Sequence, residues 1–364
     1  MKSSTVSKPV LAFFGICAVI CQAQNHYVVT DLGTLSGGST IARKINVWGY
    51  AAATSEERDG GTAHAALWKD ATKNLIALSA LEDSDYSEAT GINNHGAIAG
   101  LSNTKSNMHA VLWSISGAIK DLGALRGDTS SRAFAINDQD KVVGLSSGPQ
   151  GERAFVWTNG HMVALEVPPG TKSSEAHAIN NRDQVAGHFR GAAGPHAFLW
   201  APGSAFQDLG VLPDCQTSKA ISINDSGEVV GSSSGPFDTR SFIWTSKDGM
   251  RTISDVPSVE FSEALDINNH SEVVGTYQGS LGNRAYVWSR RSGFFDLNTL
   301  IPAGSGLVLT MALSINERGQ ILAIGMAHPH VSPERPMDED EGDDLHSVDV
   351  HSFLLTPKAS GESP

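Results

Sequence analysis

The chain has 364 residues, with 39 acidic against 26 basic side chains and a formal net charge of −13. At 40% hydrophobic and 18% charged it is globular, which excludes wholesale disorder and a polytopic membrane protein. The negative balance argues against a phosphate-backbone binder, whose affinity is built from clustered Lys and Arg, so no nucleic-acid partner is expected.

The first segment reads as an export leader. Lys2 and Lys8 give a positive start, Val10 to Ile20 form an apolar run too short to span a bilayer, and Cys21-Gln22-Ala23 offers small residues for cleavage. Residues 1–23 are therefore expected to be removed, leaving a mature chain from Gln24 in a secreted, extracellular or periplasmic setting. Acylation at Cys21 is the rival reading, although Val19-Ile20-Cys21 fits a lipobox poorly. After cleavage Cys215 is the one cysteine left, so no disulfide framework is available.

From residue 27 onward the chain repeats. Ile-Asn recurs at Asn46, Asn93, Asn137, Asn180, Asn224, Asn268 and Asn316, with spacings of 47, 44, 43, 44, 44 and 48 residues. Trp68, Trp113, Trp157, Trp200, Trp244 and Trp288 keep step, with Leu355 in the seventh place. Asp-Leu-Gly-x-Leu appears at 31–35, 121–125 and 208–212, with a close variant at 296–300. Each copy holds four short apolar runs separated by turn residues. In the fifth they are Ala220 to Asn224, Glu228 to Ser232, Ser241 to Trp244 and Met250 to Val256. Such runs, bounded by Gly and Asn, are strands. Four antiparallel strands per 44 residues is the size of a propeller blade. The expected fold is all-β, a seven-bladed β-propeller of four-stranded antiparallel blades over residues 24–357, followed by a tail at 358–364.

The third strand of each copy reads His64-Ala-Ala-Leu-Trp68, His109-Ala-Val-Leu-Trp113, Arg153-Ala-Phe-Val-Trp157 and His196-Ala-Phe-Leu-Trp200 in the first four copies. Arg240-Ser-Phe-Ile-Trp244, Arg284-Ala-Tyr-Val-Trp288 and His351-Ser-Phe-Leu-Leu355 follow. Over nearly the whole mature chain these segments resemble the bacterial extracellular HAF repeat family, which implies a secreted or surface repeat protein and no general activity. One His or Arg per blade is too dispersed for a metal site, so these side chains are expected to hydrogen-bond to the neighbouring blade.

Strand counting predicts how the ring shuts. The chain opens with an Asp-Leu-Gly strand, Tyr27 to Leu35, and ends with a third strand, Ser352 to Thr356. The N-terminal strand is thus expected to complete the seventh blade, with Val28, Leu32 and Leu35 facing its apolar side, and to remove an unpaired edge.

The inner strand carries a second pattern. Six residues before each Asn stands Thr40, Ser87, Ser131, Ser174, Ser218, Ser262 or Thr310, and two residues later an Ala in every copy. Between them lie Ile41, Glu88, Arg132, Glu175, Lys219, Glu263 and Met311. Glu88, Arg132, Glu175, Lys219 and Glu263 alternate in charge and are expected to form an inter-blade ion-pair ring at the channel mouth, the candidate ligand contacts. The longer connections, after the second strand and into the next blade, share that face. The reading that follows is a monomeric, non-catalytic scaffold binding an extracellular carbohydrate or protein there. The alternative is a carbohydrate-active lyase or hydrolase on the same face, disfavoured because the interleaved cations should hold each Glu ionised. No P-loop, His-Glu-x-x-His or Gly-x-Ser-x-Gly elbow occurs. Asp83-Ser84-Asp85 lacks calcium-loop spacing, and no metal or cofactor is expected. The seventh copy holds an insertion at about 327–350 containing the acidic block 338–344, read as a solvated loop. Arg126-Gly127-Asp128 spells the adhesion tripeptide, a weak signal in a Gly-rich chain.

Overall fold

The computed structural model describes residues 26–58, 62–69, 72–253, 260–327 and 350–358. The expected leader, most of the acidic insertion and nearly all of the tail lie outside them. The described residues form seven four-stranded antiparallel sheets around a common axis. Blades 1 to 6 span residues 37–77, 87–123, 130–164, 173–210, 217–252 and 262–296, each running from the inner strand outward. In blade 5 the strands are Thr217–Ile223, Val229–Ser234, Thr239–Thr245 and Gly249–Thr252. The inner strand starts earlier than its apolar run, and Asn224 belongs to the turn, because its side chain caps that turn. No helix among the described residues is long and apolar enough to cross a membrane.

Blade 7 is built from both ends of the chain. Its inner three strands are Leu307–Ile315, Ile321–Ala327 and His351–Pro357, and its outer strand is Tyr27–Asp31, paired antiparallel from Tyr27↔Pro357 to Asp31↔Phe353. The closure is the one expected, with a different face inward. Val28 is 48% exposed, whereas Tyr27 and Val29 pack on the core between blades 6 and 7, and Leu32 is buried between blades 7 and 1. The shorter strand explains the change. Pairing as a ladder stops at Asp31, and the chain then turns to drop Leu32 into the next seam.

The core is divided among the seams. Seven apolar clusters each join two adjacent blades: Ala52, Ala65 and Leu67 of blade 1 meet Ile92, Val111 and Trp113 of blade 2, and the pattern repeats around the ring. The alanines at 42, 89, 133, 176, 220, 264 and 312 are completely buried. Hydroxyls fasten the same seams. Ser87, Ser131, Ser174, Ser218 and Ser262 Oγ each accept a backbone N–H from the third strand of the preceding blade, at 2.8–3.0 Å. Where blade 7 meets blade 1 the roles reverse, with Ser352 Oγ accepting from Ala42 N at 2.8 Å and donating to Thr40 O at 2.9 Å.

At the lower end the seven asparagines close a ring. Asn46 Nδ2 donates to Asn93 O, Asn93 to Asn137 O, Asn137 to Asn180 O, Asn180 to Asn224 O, Asn224 to Asn268 O, Asn268 to Asn316 O, and Asn316 back to Asn46 O, all at 2.9–3.1 Å. Each Oδ1 meanwhile accepts two N–H groups of its own turn, as Asn180 does from Arg182 and Gln184. No carboxylate, serine or glutamine supplies that donor and acceptor pair at that reach.

Every inner strand also carries a β-bulge, between the buried Ala and the residue two further on. The bulged backbone presses on the second strand. A Cβ on Gly100, Gly144, Gly187, Gly231 or Gly275 would lie 1.9–2.0 Å from the carbonyl oxygen of Glu88, Arg132, Glu175, Lys219 or Glu263, so glycine is required there. Blades 1 and 7, with Ala53 and Ala323 instead, carry a second register irregularity near the strand start.

Two outcomes test this architecture. Deleting residues 26–36 removes half-buried Tyr27 and Val29 and buried Leu32 from two seams. At about 1.5–3 kcal/mol for a fully buried side chain and about half that for the other two, denaturant unfolding should show a loss of about 3 kcal/mol or more, and a V28C/T356C pair should crosslink within one monomer. Unchanged stability of the truncated protein would contradict the closure. In the asparagine ring, Asn180→Ala leaves buried donors and acceptors unpaired and should cost about 2–4 kcal/mol, with Asn180→Asp nearly as damaging because it keeps the acceptor and loses the donor.

Candidate functional site

The bulge decides what lines the channel. It presents two consecutive side chains per inner strand to the axis, and the upper cavity, of about 460 Å³, is walled by Arg43, Thr90, Phe134, His177, Ile221 and Leu265 at the bulge itself. The inner-strand pattern read from sequence had only the level above, so this layer was missed. Its signal was faint: the bulge adds a residue without disturbing the spacing of the landmarks.

Below the mouth the channel is tied across. Asp266 of blade 6, its side chain 2% exposed, accepts from Lys44 Nζ of blade 1 and Ser222 Oγ of blade 5, both at 2.6 Å. It also accepts from Ser314 Oγ at 2.8 Å and Ile315 N at 3.0 Å, in blade 7. A buried carboxylate needs such complete satisfaction. Four donors from three blades meet that need and leave the upper cavity with a polar floor on one side.

The five predicted mouth residues do occupy one level at the top of the inner strands, but they do not form an ion-pair ring. Glu88 pairs with Arg43 at 3.8 Å and accepts the Tyr86 hydroxyl; Glu263 accepts from Ser232 Oγ at 2.9 Å. Arg132 and Lys219 are exposed, and among the described residues neither has a carboxylate oxygen within 4.0 Å. No two of the five come within 4.0 Å of each other as an ion pair; Glu88 and Glu263 are met by other partners. Nor do the cations set the direction of the Glu175 shift, as expected of interleaved charges. Its pKa is raised, because lost hydration and then Glu152 outweigh the attraction of Lys219 and Arg132.

Glu175 instead has two histidines beside it. His177 is the bulge residue of the same strand, and His188 stands directly opposite Glu175 on the second strand. His177 Nε2 and His188 Nδ1 are 3.0 Å apart, and the carboxylate oxygens lie 3.6 Å from His177 Nε2 and 3.7 Å from His188 Nε2. Phe134 of blade 3 stacks on His177 at 5.3 Å. Lost hydration, then His188 and Lys219, push the His177 pKa down to about 3; lost hydration, then Lys219 and Arg190, push His188 down to about 4. Both imidazoles are therefore neutral at neutral pH. Among the described residues these three side chains form the group that could hold a metal ion, each offering one ligand atom within 4.8 Å of the others. In sequence they are visible as departures from the repeat: the positions equivalent to His188 hold Thr54, Leu101, Leu145, Ser232, Thr276 and Ile324.

Four of the seven His and Arg at the heads of the third strands bond within their own blade, whereas Arg153 and Arg240 reach Asp128 and Pro213 O in the connections from the preceding blade. His109, His196 and His351 Nδ1 donate to Asp121, Asp208 and Asp31 at 3.0 Å, and Arg284 Nε donates to Asp296 at 2.5 Å. Each Asp also accepts the N–H two residues on, at Gly123, Gly210, Gly33 or Asn298. The Asp-Leu-Gly motif is thus an outer-strand terminator held by the third strand, and the antiparallel pairing within a blade puts the partner closer than the next blade does. The Asp128 side chain of the Arg-Gly-Asp tripeptide is 1% exposed beside Arg153 Nη2 at 2.8 Å, which withdraws its carboxylate from the surface.

The histidine pair yields a pH dependence. Groups whose folded pKa lies below the unfolded value take up protons first in the unfolded chain, so stability falls as pH drops from about 6.5 towards 4. With a chelator present, wild type should lose about 1–2 kcal/mol per histidine between pH 7 and 5 relative to H177N/H188Q. Parallel stability profiles for the two proteins would contradict the buried, neutral pair.

No protein-family model matches the chain, and no curated protein sequence matches it. Solved structures do. A streptogramin B lyase aligns with a TM-score of 0.56 and 8% identity over 93% of this chain and 100% of that one. YCF48 bound to a D1 peptide aligns at 0.54 and 8% identity, covering 93% and 98%. An oligogalacturonate lyase in complex with manganese aligns at 0.53 and 11% identity, covering 92% and 96%. At these identities the likeness establishes the β-propeller fold, shared by proteins of different function, and nothing finer.

Proposed function

We propose that the protein is a secreted, HAF-type repeat scaffold that binds an anionic carbohydrate in the upper mouth of its channel. The carrying observation is a pair of exposed cations, Arg132 and Lys219, with no carboxylate oxygen within 4.0 Å among the described residues, beside a cavity of about 460 Å³ whose wall includes the rings of Tyr86 and Phe134. Unpaired cations at a concave mouth supply charge-assisted bonds to carboxylates, and aromatic faces supply apolar contact for sugar rings. Ligand pockets commonly combine an apolar wall with a few placed polar groups in this way. The export leader and the repeat resemblance support an extracellular setting.

A second reading draws on one observation. Glu175, with its raised pKa, stands beside two neutral imidazoles, which suits proton transfer during cleavage of a uronide chain by a lyase.

Calorimetric titration with oligomers of uronic acids and with neutral oligosaccharides of equal length separates these outcomes. Acidic oligomers should bind and neutral ones should not, with R132A/K219A weakening binding at least tenfold. Equal affinity for both ligand types, or an unaffected double variant, would rule out the mouth as an anion site. Accumulation of unsaturated chain ends, lost in Glu175→Gln with binding kept, would select the lyase.

A further inference from the structure

Among the described residues, blade 4 is where three metal-binding side chains come together at the channel wall. We propose that Glu175, His177 and His188 form a binding site for a divalent first-row transition metal. All three side chains stand on paired strands, not on loops. Glu175 and His188 are direct cross-strand partners, and the bulge between Ala176 and Ala178 turns His177 towards the same point. Ligand nitrogens bound to one ion at about 2.0–2.1 Å stand roughly 3–3.4 Å apart. His177 Nε2 and His188 Nδ1 are already 3.0 Å apart, and a small rotation of Glu175 brings an oxygen from 3.6 Å to join them. The imidazole planes lie within 12° of each other, and Phe134 backs the His177 ring, which limits its rotation. Fixed ligands of this kind reduce the ordering cost of binding.

The donor set decides the ion. Two imidazoles and one carboxylate suit Zn²⁺, Fe²⁺, Co²⁺ or Ni²⁺, whereas Ca²⁺ and Mg²⁺ favour oxygen ligands throughout. Three protein ligands leave coordination positions open, and His177 lines the upper cavity, so those positions face a space a ligand can enter. The side chains are 13–26% exposed, which admits the ion without leaving the donors in bulk water. Depressed imidazole pKa values mean that no proton need be displaced from a charged ring at neutral pH. Arg132 and Lys219 extend into solvent on either side, where they would favour an anion as the remaining ligand. Metal uptake is measured without carbohydrate, so the site stands or falls apart from the ligand reading above.

The test uses the full-length mature protein, stripped with a chelator, and two probes, Co²⁺ followed by visible absorption and Zn²⁺ by calorimetry. Wild type should take up one equivalent of Co²⁺ with micromolar or tighter affinity, displaced by Zn²⁺. H177A/H188A should bind at least 100-fold more weakly at that equivalent, and Glu175→Gln about tenfold. If the double variant fails to fold, the imidazole ¹H–¹⁵N resonances of wild type give an independent reading, since one His pair should shift on adding Zn²⁺. Absence of uptake by wild type, unshifted imidazole resonances, or equal uptake by wild type and H177A/H188A would overturn the proposal, the last by placing the ion elsewhere on this acidic chain.

Discussion

The lower ring of asparagines is the constraint on which the rest of the structure hangs. Each side chain satisfies the turn of its own blade through Oδ1 and reaches the backbone of the next through Nδ2, so the local geometry of a hairpin is coupled to the angle between blades. Seven such couplings return to their start at Asn316 and Asn46, 270 residues apart in sequence. Apolar seams set the spacing of the blades but are tolerant of sliding, as non-directional burial is. The directional bonds remove that freedom, at the lower ring through asparagine and higher in the seams through the serine hydroxyls.

With the lower end fixed, the bulge in each inner strand governs the upper end. An extra residue in one strand exposes two successive side chains to the axis and brings the backbone against the second strand, where glycine gives way in five blades. The repeat thus uses its regular positions for the frame and leaves the bulge residues free to vary, from Arg43, Thr90, Phe134 and His177 to the aliphatic Ile221, Leu265 and Leu313. That variation makes a chemically uneven channel inside a nearly symmetric ring, with the carboxylate of Asp266 tied on one side and the histidine pair on another.

The architecture was legible because it is written seven times. A landmark every 44 residues, the strand count and the unmatched Asp-Leu-Gly strand at Tyr27 were enough to specify blade number and closure. Val28 was misplaced, because an alternating pattern in a five-residue strand does not say which face is inward until its register against Phe353 to Pro357 is known. Less of the site could be read. Charge alternation along the chain at Glu88, Arg132, Glu175, Lys219 and Glu263 says nothing of the distance between side chains on neighbouring strands, so pairing was inferred where no ion pair within 4.0 Å forms. His188 was overlooked for a different reason. It lies 13 residues from Glu175 in sequence and opposite it in space, and the pairing that joins them follows from a bulge that leaves no mark in the repeat length.

The pairing of Tyr27 with Pro357 and of Asp31 with Phe353 also determines how the ring bears load. Tyr27 and Pro357, the first and last residues of the ladder, lie side by side at its same end. Tension applied between them would act on the Tyr27–Pro357 rung first and pass to the next only when that one breaks, an unzipping geometry in which the bonds never share the force. Tension applied at the loops of opposite blades would meet the seams and the asparagine ring in parallel. The molecule is therefore mechanically anisotropic: weak when peeled from its ends, strong when stretched across its diameter.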